Sequence, residues 1–267
     1  MTDIKTLIRL MRIREFLNIP LISSLVFLIS PQNLFTYKTI IVFLANFFLT
    51  ASIFVINDVE DAEDDYHDLK KRKRNSIANG ELNKKQGYLV GFSFLFLGLF
   101  LLLNISYLVF LVAIILTPVG IFYSWRLIRL KSIPVIDVIS HSICLGVLQL
   151  STMYLTFYSS ALQFISLLIM IIPYSIMIEI TQELRDFEVD KKTKISNTVQ
   201  KFGKFNPTKF YIIVCIIMLA GYTILYKTID RNNLFFPLSI LLGILLLLNG
   251  DSFKQLSERI SQFNFTQ

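Results

Sequence analysis

Apolar runs close to the length needed to cross a bilayer, about 20 residues each, recur along this chain of 267 residues. Eight can be marked: 16–30, 39–57, 87–106, 107–124, 133–157, 160–182, 208–226 and 233–249. In hydrocarbon every backbone polar group must find a partner within the structure, so such runs fold as α-helices. The connections are mostly short and leave no room for a separate soluble domain. The expectation is an all-α, polytopic membrane bundle around a central cavity, a single domain over 1–267. A hydrophobic content of 54% and 24 Phe agree with it.

The net charge of +7 could suggest a nucleic-acid partner, but its distribution excludes one. Lys and Arg number four before the first run, seven in 61–86, three in 125–132, seven in 184–209 and two in the tail. The alternate connections hold only Lys38, Lys227 and Arg231. That alternation is the positive-inside pattern, so both termini and the three basic loops are expected on the cytoplasmic side. Residues 1–15 read as an amphipathic segment lying on the membrane surface, with Arg14 at the lipid headgroups or, as the alternative, reaching a ligand in the cytoplasmic mouth. No small-residue cleavage site follows a short apolar core, so no removable signal peptide is expected. Cys144 and Cys215 lie inside apolar runs and match no metal or redox spacing.

Two places break the apolar pattern with chemistry. The second run carries Asn46, Thr50 and Asn57 on one helical face and then meets a block of acids. Asn57, Asp61 and Asp65 recur every four residues, with Asp58 and Asp68 within a turn of that line. Like charges four apart destabilise a helix, so such a row needs cations among it. Hard divalent cations take oxygen ligands, and Mg²⁺ typically uses one or two carboxylates plus phosphate oxygens. The run Lys70–Arg74 that follows suits phosphate. The plain alternative is a solvated charged loop obeying topology rules.

The sixth run ends in the same way. Glu179, Glu183, Asp186 and Asp190 form a single stripe, followed by Lys191, Lys192 and Lys194. Glu179 lies well inside the apolar run, where an ionisable group is expensive and functional by default. The stretches 58–86 and 184–207 are expected as cytoplasmic cap loops. Pro118 and Gly120 are expected to kink the fourth run. In the fifth, Asp137 reads either as a helix cap or partner of Arg129 or Lys131, or as a substrate contact. His141 reads as a packed core histidine, and Gln149 as a sign of a partly polar interior.

Two carboxylate sets facing each other over an apolar cavity could hold Mg²⁺ bridging a diphosphate, with Lys and Arg neutralising the remaining charge. A greasy, aromatic-rich interior would house a hydrocarbon chain and keep water from a carbocation. That logic points to an allylic isoprenoid diphosphate.

Here the sequence resembles a known family. Asn57-Asp58-x-x-Asp61-x-x-x-Asp65 reproduces the first signature of the UbiA superfamily of intramembrane prenyltransferases. Asp186-x-x-x-Asp190, with Lys191 and Gly203 beyond it, resembles that family's second Asp-rich motif. His67 and the Arg74…Gly80 stretch resemble its first basic segment. Tyr123-Ser124 and Arg129-Leu130-Lys131, with Asp137, resemble the loop between its fourth and fifth helices. The resemblance implies that Asn57, Asp61, Asp65, Asp186 and Asp190 hold a diphosphate through Mg²⁺, with Asp58 in support. It implies Arg72 or Arg74, Lys131 and Lys191 on phosphate, and Tyr123, Arg126 and Arg129 as further substrate contacts. Asp61, Asp186 and Lys131 are then the residues expected to carry catalysis. The implied partners are a prenyl diphosphate donor, an aromatic or lipid acceptor and membrane lipids. The active site would open to the cytoplasmic side.

Three positions depart from the family pattern. The family usually has nine spans against eight runs here, so either a helix is missing or one run hides a re-entrant pair. Asn75 stands where a Pro usually follows the basic-loop Arg, with one extra residue before Gly80. Leu127 stands where the fourth loop usually has Lys, so Lys131 or Arg126 must take its part. Other classes fit less well. A CDP-alcohol phosphotransferase would need Asp-Gly and Ala-Arg pairs in its acidic motif, and neither is present. A transporter or cation channel places its site near the midplane, often at broken helices, whereas these acids end the helices beside bases. A soluble prenyl synthase would not have lipid-soluble helices.

Overall fold

The computed structural model describes residue 10 and residues 18–193, 196–205 and 207–229. Among these, regular structure is helical throughout: α1 (Tyr37–Asp65), α2 (Leu69–Arg74), α3 (Lys84–Leu103), α4 (Tyr107–Ser124), α5 (Ile136–Phe157), α6 (Ala161–Thr193), α7 (Thr198–Phe202) and α8 (Pro207–Thr228). Six of them, α1, α3, α4, α5, α6 and α8, are long and apolar enough to cross a membrane. They correspond to the second through seventh expected runs. The eighth run, the tail and, apart from Leu10, the 1–15 segment lie outside the described residues.

The helix starts are written in the sequence. The Thr36 hydroxyl caps α1 by accepting from the Thr39 N–H at 3.3 Å. Asn83 and Gln86 form a reciprocal capping box at the start of α3. The helix ends were harder to read. At 29 residues, α1 is about 43 Å long against a hydrocarbon core of about 30 Å. Its acidic end therefore projects past the apolar layer as helix, and only from Tyr66 does the chain turn away. The 33 residues of α6 do the same on the second stripe. Both expected cap loops thus begin as helix, because an α-helix satisfies its own backbone and need not stop where the apolar run does. The expected first span differs more. Its described part is an α-turn (Asn18–Leu21) followed by a 3₁₀ stretch (Ile22–Leu28). There the Ser24 hydroxyl back-bonds to the Leu21 carbonyl at 2.6 Å, competing with the α pattern.

α1 and α5 form the buried centre of the bundle, while α3 and α8 are largely exposed. Leu89, Phe96, Phe100, Ile213, Ile216 and Leu219 lie on those exposed faces, as lipid-facing side chains do. Apolar burial does not drive helix association in lipid, so close approach and polar pairs must. Both are present. Gly87, Gly91 and Gly98 put the backbone of α3 against α1: a Cβ on Gly98 would stand 2.8 Å from the Leu49 side chain and 3.1 Å from the Ala45 carbonyl. Between α1 and α5, Asn46 Nδ2 donates to the Gln149 carbonyl at 3.2 Å and Thr152 Oγ1 donates to Asn46 Oδ1 at 2.8 Å. Gln149 Nε2 donates to Thr50 Oγ1 at 3.0 Å. The polar face expected from Asn46 and Thr50 does point into the bundle. α4 runs through Pro118 as one helix, and the Thr117 hydroxyl covers the Ala113 carbonyl at 2.7 Å.

Candidate active site at two acidic helix ends

The last turns of α1 carry the first stripe. Asn57 Oδ1 accepts the Ser124 hydroxyl from α4. Asp58 is fully buried. Asp65, nearly buried, accepts Asn75 Nδ2 at 2.9 Å, and the same amide donates to the Asp58 carbonyl at 2.8 Å. Asn75 Oδ1 in turn accepts the backbone N–H groups of Ile77 and Ala78 at 2.9 and 3.1 Å. Asn75 is therefore a fully used hub fixing the basic turn to the acidic helix, a role that a proline could not fill.

Between them, α2 is capped by Asp68, whose Oδ1 accepts the N–H groups of Lys70 and Lys71 at 2.8 and 2.9 Å. Those donors, Lys71's first, hold the Asp68 carboxyl below the usual carboxylate range. Lys71 and Arg74 act electrostatically on Asp65. Arg72 instead lies over the exposed ring of Tyr66, 4.2 Å from its centroid.

The segment from Trp125 to Val135 lays its cations on α1. Lys131 Nζ is 2.5 Å from each oxygen of Asp61. Arg129 Nη2 donates to Asp64 at 2.6 Å and stands 3.9 Å from Asp61. Arg126 binds Glu60 through its backbone N–H and Nε at 3.2 and 3.1 Å, and Glu63 through Nη1. Arg126 and Arg129 thus hold mainly Glu60, Glu63 and Asp64, acids outside the expected ligand line. Glu60 is buried and also accepts the Tyr88 hydroxyl at 2.5 Å. Two non-glycine residues of this segment have left-handed backbones, Arg129 at φ +46° and Val135 at φ +75°. For a β-branched residue that conformation is strained. It is held by the Thr198 hydroxyl, which accepts the Val135 N–H at 2.7 Å.

On α6 the second stripe splits into two levels. Glu179 accepts the Tyr123 hydroxyl and lies 3.2 Å from His141 Nε2. Glu183 accepts the Val199 N–H at 2.8 Å, and Asp137 accepts the Thr198 N–H at 2.5 Å and the Thr198 hydroxyl. Asp137 is accordingly a cap for α7 and not a partner of Arg129 or Lys131. Nearer the end, Asp186 is bound by Arg185 at 2.9 and 3.2 Å. Asp190 accepts Asn197 Nδ2 at 2.9 Å, and burial pushes its carboxyl up, with Lys71 the leading opposing charge. Lys191 is exposed.

The two ends meet through their lysines. Lys71 acts on both Asp65 and Asp190, and Lys131 on Asp190 while bonded to Asp61. Among the described residues, no three of His, Cys, Asp and Glu stand close enough to hold a metal ion unaided. A surface cleft lined by Ala62, Tyr66, Ile77, Leu82 and Lys84 lies on another flank of α1 and includes none of the paired aspartates. Sequence reasoning missed Glu60, Asn75, Asn197 and Thr198, all of which position others. Only Asn75 left a trace, as a departure from a familiar pattern.

The sequence model of the UbiA prenyltransferase family matches residues 17–262. No curated protein matches the chain. Among solved structures, a UbiA homolog from Archaeoglobus fulgidus bound to GPP and Mg²⁺ superposes with a TM-score of 0.71 at 21% identity, covering 90% of this chain and 85% of that one. A UbiA homolog from the same organism bound to DMAPP and Mg²⁺ gives 0.65 at 18% identity, covering 93% and 99%. A structure reported for Digeranylgeranylglyceryl phosphate synthase in membranes gives 0.62 at 21%, covering 99% and 90%. These likenesses establish the fold.

Proposed function

The chain belongs to the UbiA prenyltransferase family, and on that premise we propose that it moves a prenyl group from an isoprenoid diphosphate to an aromatic or lipid acceptor within the membrane, releasing diphosphate. The observation that carries this reading is the meeting of two acidic helix ends around Lys131 and Lys71. Acids alone would suit a cation, but acids interleaved with lysines suit a cation together with an anion.

The donor set fits Mg²⁺. Asn57, Asp61, Asp65, Asp186 and Asp190 offer hard oxygen ligands, and no cluster of them forms a closed cage. Mg²⁺ prefers that arrangement, completing its shell with water and phosphate oxygens. The structures bound to GPP or DMAPP together with Mg²⁺ support the same assignment. Bound there, the metal would neutralise charge developing on the departing diphosphate.

The chain's own residues supply the rest. Lys131, Lys71 and Arg74 would take up phosphate charge as the allylic C–O bond opens. Asn75 and Asp68 keep that basic turn in register with α1. The buried faces of α1 and α5 exclude water from the electron-poor carbon. The basic loops at this end favour the cytoplasmic side for it, and for both termini. The test is direct: purified protein in detergent, given Mg²⁺, a prenyl diphosphate and an acceptor, releases pyrophosphate, and chelating the metal stops it. Release that is indifferent to the chelator sinks the metal assignment.

A further inference from the structure

Below the acidic ends lies a second ionisable group of side chains that diphosphate binding does not use. Glu179, His141 and Tyr123 come from α6, α5 and α4 and meet inside the bundle. Glu179 and His141 are each 5% exposed. Tyr123 donates its hydroxyl to one oxygen of Glu179, and His141 Nε2 lies 3.2 Å from the other. A carboxylate can only accept, so the nitrogen that faces Glu179 is a donor, and Nδ1 is the nitrogen left to take up a proton. Among the described residues, the buried His141 Nδ1 has no hydrogen-bond partner. A pin holding the three helices together would use Nε2 alone, which leaves Nδ1 as a buried acceptor that the pin does not employ.

Position agrees with a reactive role. Glu179 precedes Asp186 by seven residues, about 10 Å along α6. The group connects to the first stripe through Ser124, next to Tyr123 and bonded to Asn57. His141 is the last residue before Ser142–Val147 widens into a π-helix, a rare feature that gathers at functional sites.

We propose that the Tyr123–Glu179–His141 group lines the acceptor's pocket and that His141 Nδ1 takes the proton the acceptor loses. This rests on the prenyl-transfer reading above. In that reaction the acceptor's carbon or oxygen bonds to the allylic carbon while the C–O bond to diphosphate breaks. Diphosphate leaves with the electron pair, and the hydrogen displaced on the acceptor departs as a proton. Nδ1 receives it, and Glu179 stabilises the resulting imidazolium, a division of labour common to histidine bases. The other titratable groups around the pair are Tyr123 on α4, Asp137 and Cys144 on α5, and Glu183 on α6.

The test uses His141→Gln, whose side-chain N–H can still donate to Glu179 but whose carbonyl is not basic. Wild type and variant, in lipid nanodiscs with Mg²⁺, receive labelled geranyl diphosphate and a lipid extract of the expressing cells as acceptor pool. Donor binding should be unchanged, and labelled lipid product should fall about 10²-fold or more. Any rise of wild-type transfer with pH should be absent from the variant. Transfer retained within a few-fold, with the same pH profile, overturns the proposal and leaves prenyl transfer standing. A wild type that makes no labelled product removes both. Should the variant not fold, ¹⁵N spectra of the wild type decide. The chain has two histidines, and only His67 is exposed to a water-soluble relaxation agent. The shielded one must show an unprotonated Nδ1 at neutral pH, and a protonated Nδ1 overturns the proposal.

Discussion

Lys131 places its ammonium group 2.5 Å from both carboxylate oxygens of Asp61, and each side chain is only 14% exposed. A carboxylate proposed above as a metal ligand is thus already paired with a lysine from another loop. A divalent cation arriving alone must compete with that lysine, whereas one arriving with diphosphate offers the lysine a new partner. Lys131→Met should therefore tighten Mn²⁺ binding in the absence of donor, read by electron paramagnetic resonance, while lowering turnover about 10²-fold. Weaker metal binding in the variant would contradict the competition.

Asp61→Ala and Asp186→Ala test the two acidic ends separately. Each should cut pyrophosphate release by about 10²–10³-fold or more, the scale for losing one group that stabilises developing charge. Both proteins should keep the wild-type elution volume and melting profile. Full activity in the two variants would refute the metal assignment.

Asn75→Ala removes two hydrogen bonds that tie the basic turn to α1, to the Asp58 carbonyl and Asp65, and two that shape the turn itself. Leaving buried polar groups unsatisfied costs about 1–3 kcal/mol each, so thermal unfolding in detergent should occur several degrees lower. Asn75→Asp should be worse, since it sets a second carboxylate against Asp65. A variant as stable as wild type would show that the hub is dispensable.

Gly98→Val forces a branched side chain into a seam where a single Cβ already meets Leu49 at 2.8 Å and the Ala45 carbonyl at 3.1 Å. The expected loss is about 1–3 kcal/mol, with Gly98→Ala in between. Equal melting temperatures for all three would mean that α3 can shift away from α1.

The cap at Asp68 gives a pH signature. Its carboxyl is held below the ordinary value of about 3.9, so the folded state favours the charged form. The stabilisation is present above that ordinary value and lost only as pH falls through the lower, folded-state one. The protection of the Lys70 and Lys71 amides against exchange, relative to an unstructured peptide at the same pH, should hold through neutral and mildly acidic pH and fall below it, and be missing in Asp68→Ala.

The bundle was legible because hydrocarbon permits so little: six expected runs became six long helices, each within a few residues at its start. The acid stripes were legible because their spacing of three and four residues is itself helical. What was hidden depends on contacts between distant segments. Nothing local in Glu60 marks it as the anchor of Arg126 and Tyr88, and nothing in Thr198 marks its bonds to Asp137 and Val135. The widened turns at Ser142–Val147 were equally silent, since a π-helix uses the same residues as its α neighbours. His141 is buried, as its reading as a core residue expects, whereas the choice between the two roles of Asp137 is made only by its contacts to Thr198, which pattern does not contain.

Thr198 holds the strained backbone at Val135 with one hydroxyl while its own N–H is held by Asp137. The loop bearing Lys131 and the turn bearing Asn197 are therefore latched at a single threonine, one from each half of the sequence. Chimeras that exchange halves between relatives would inherit a mismatched latch unless residues 129–137 and 197–199 travel together, however well their spanning helices pack.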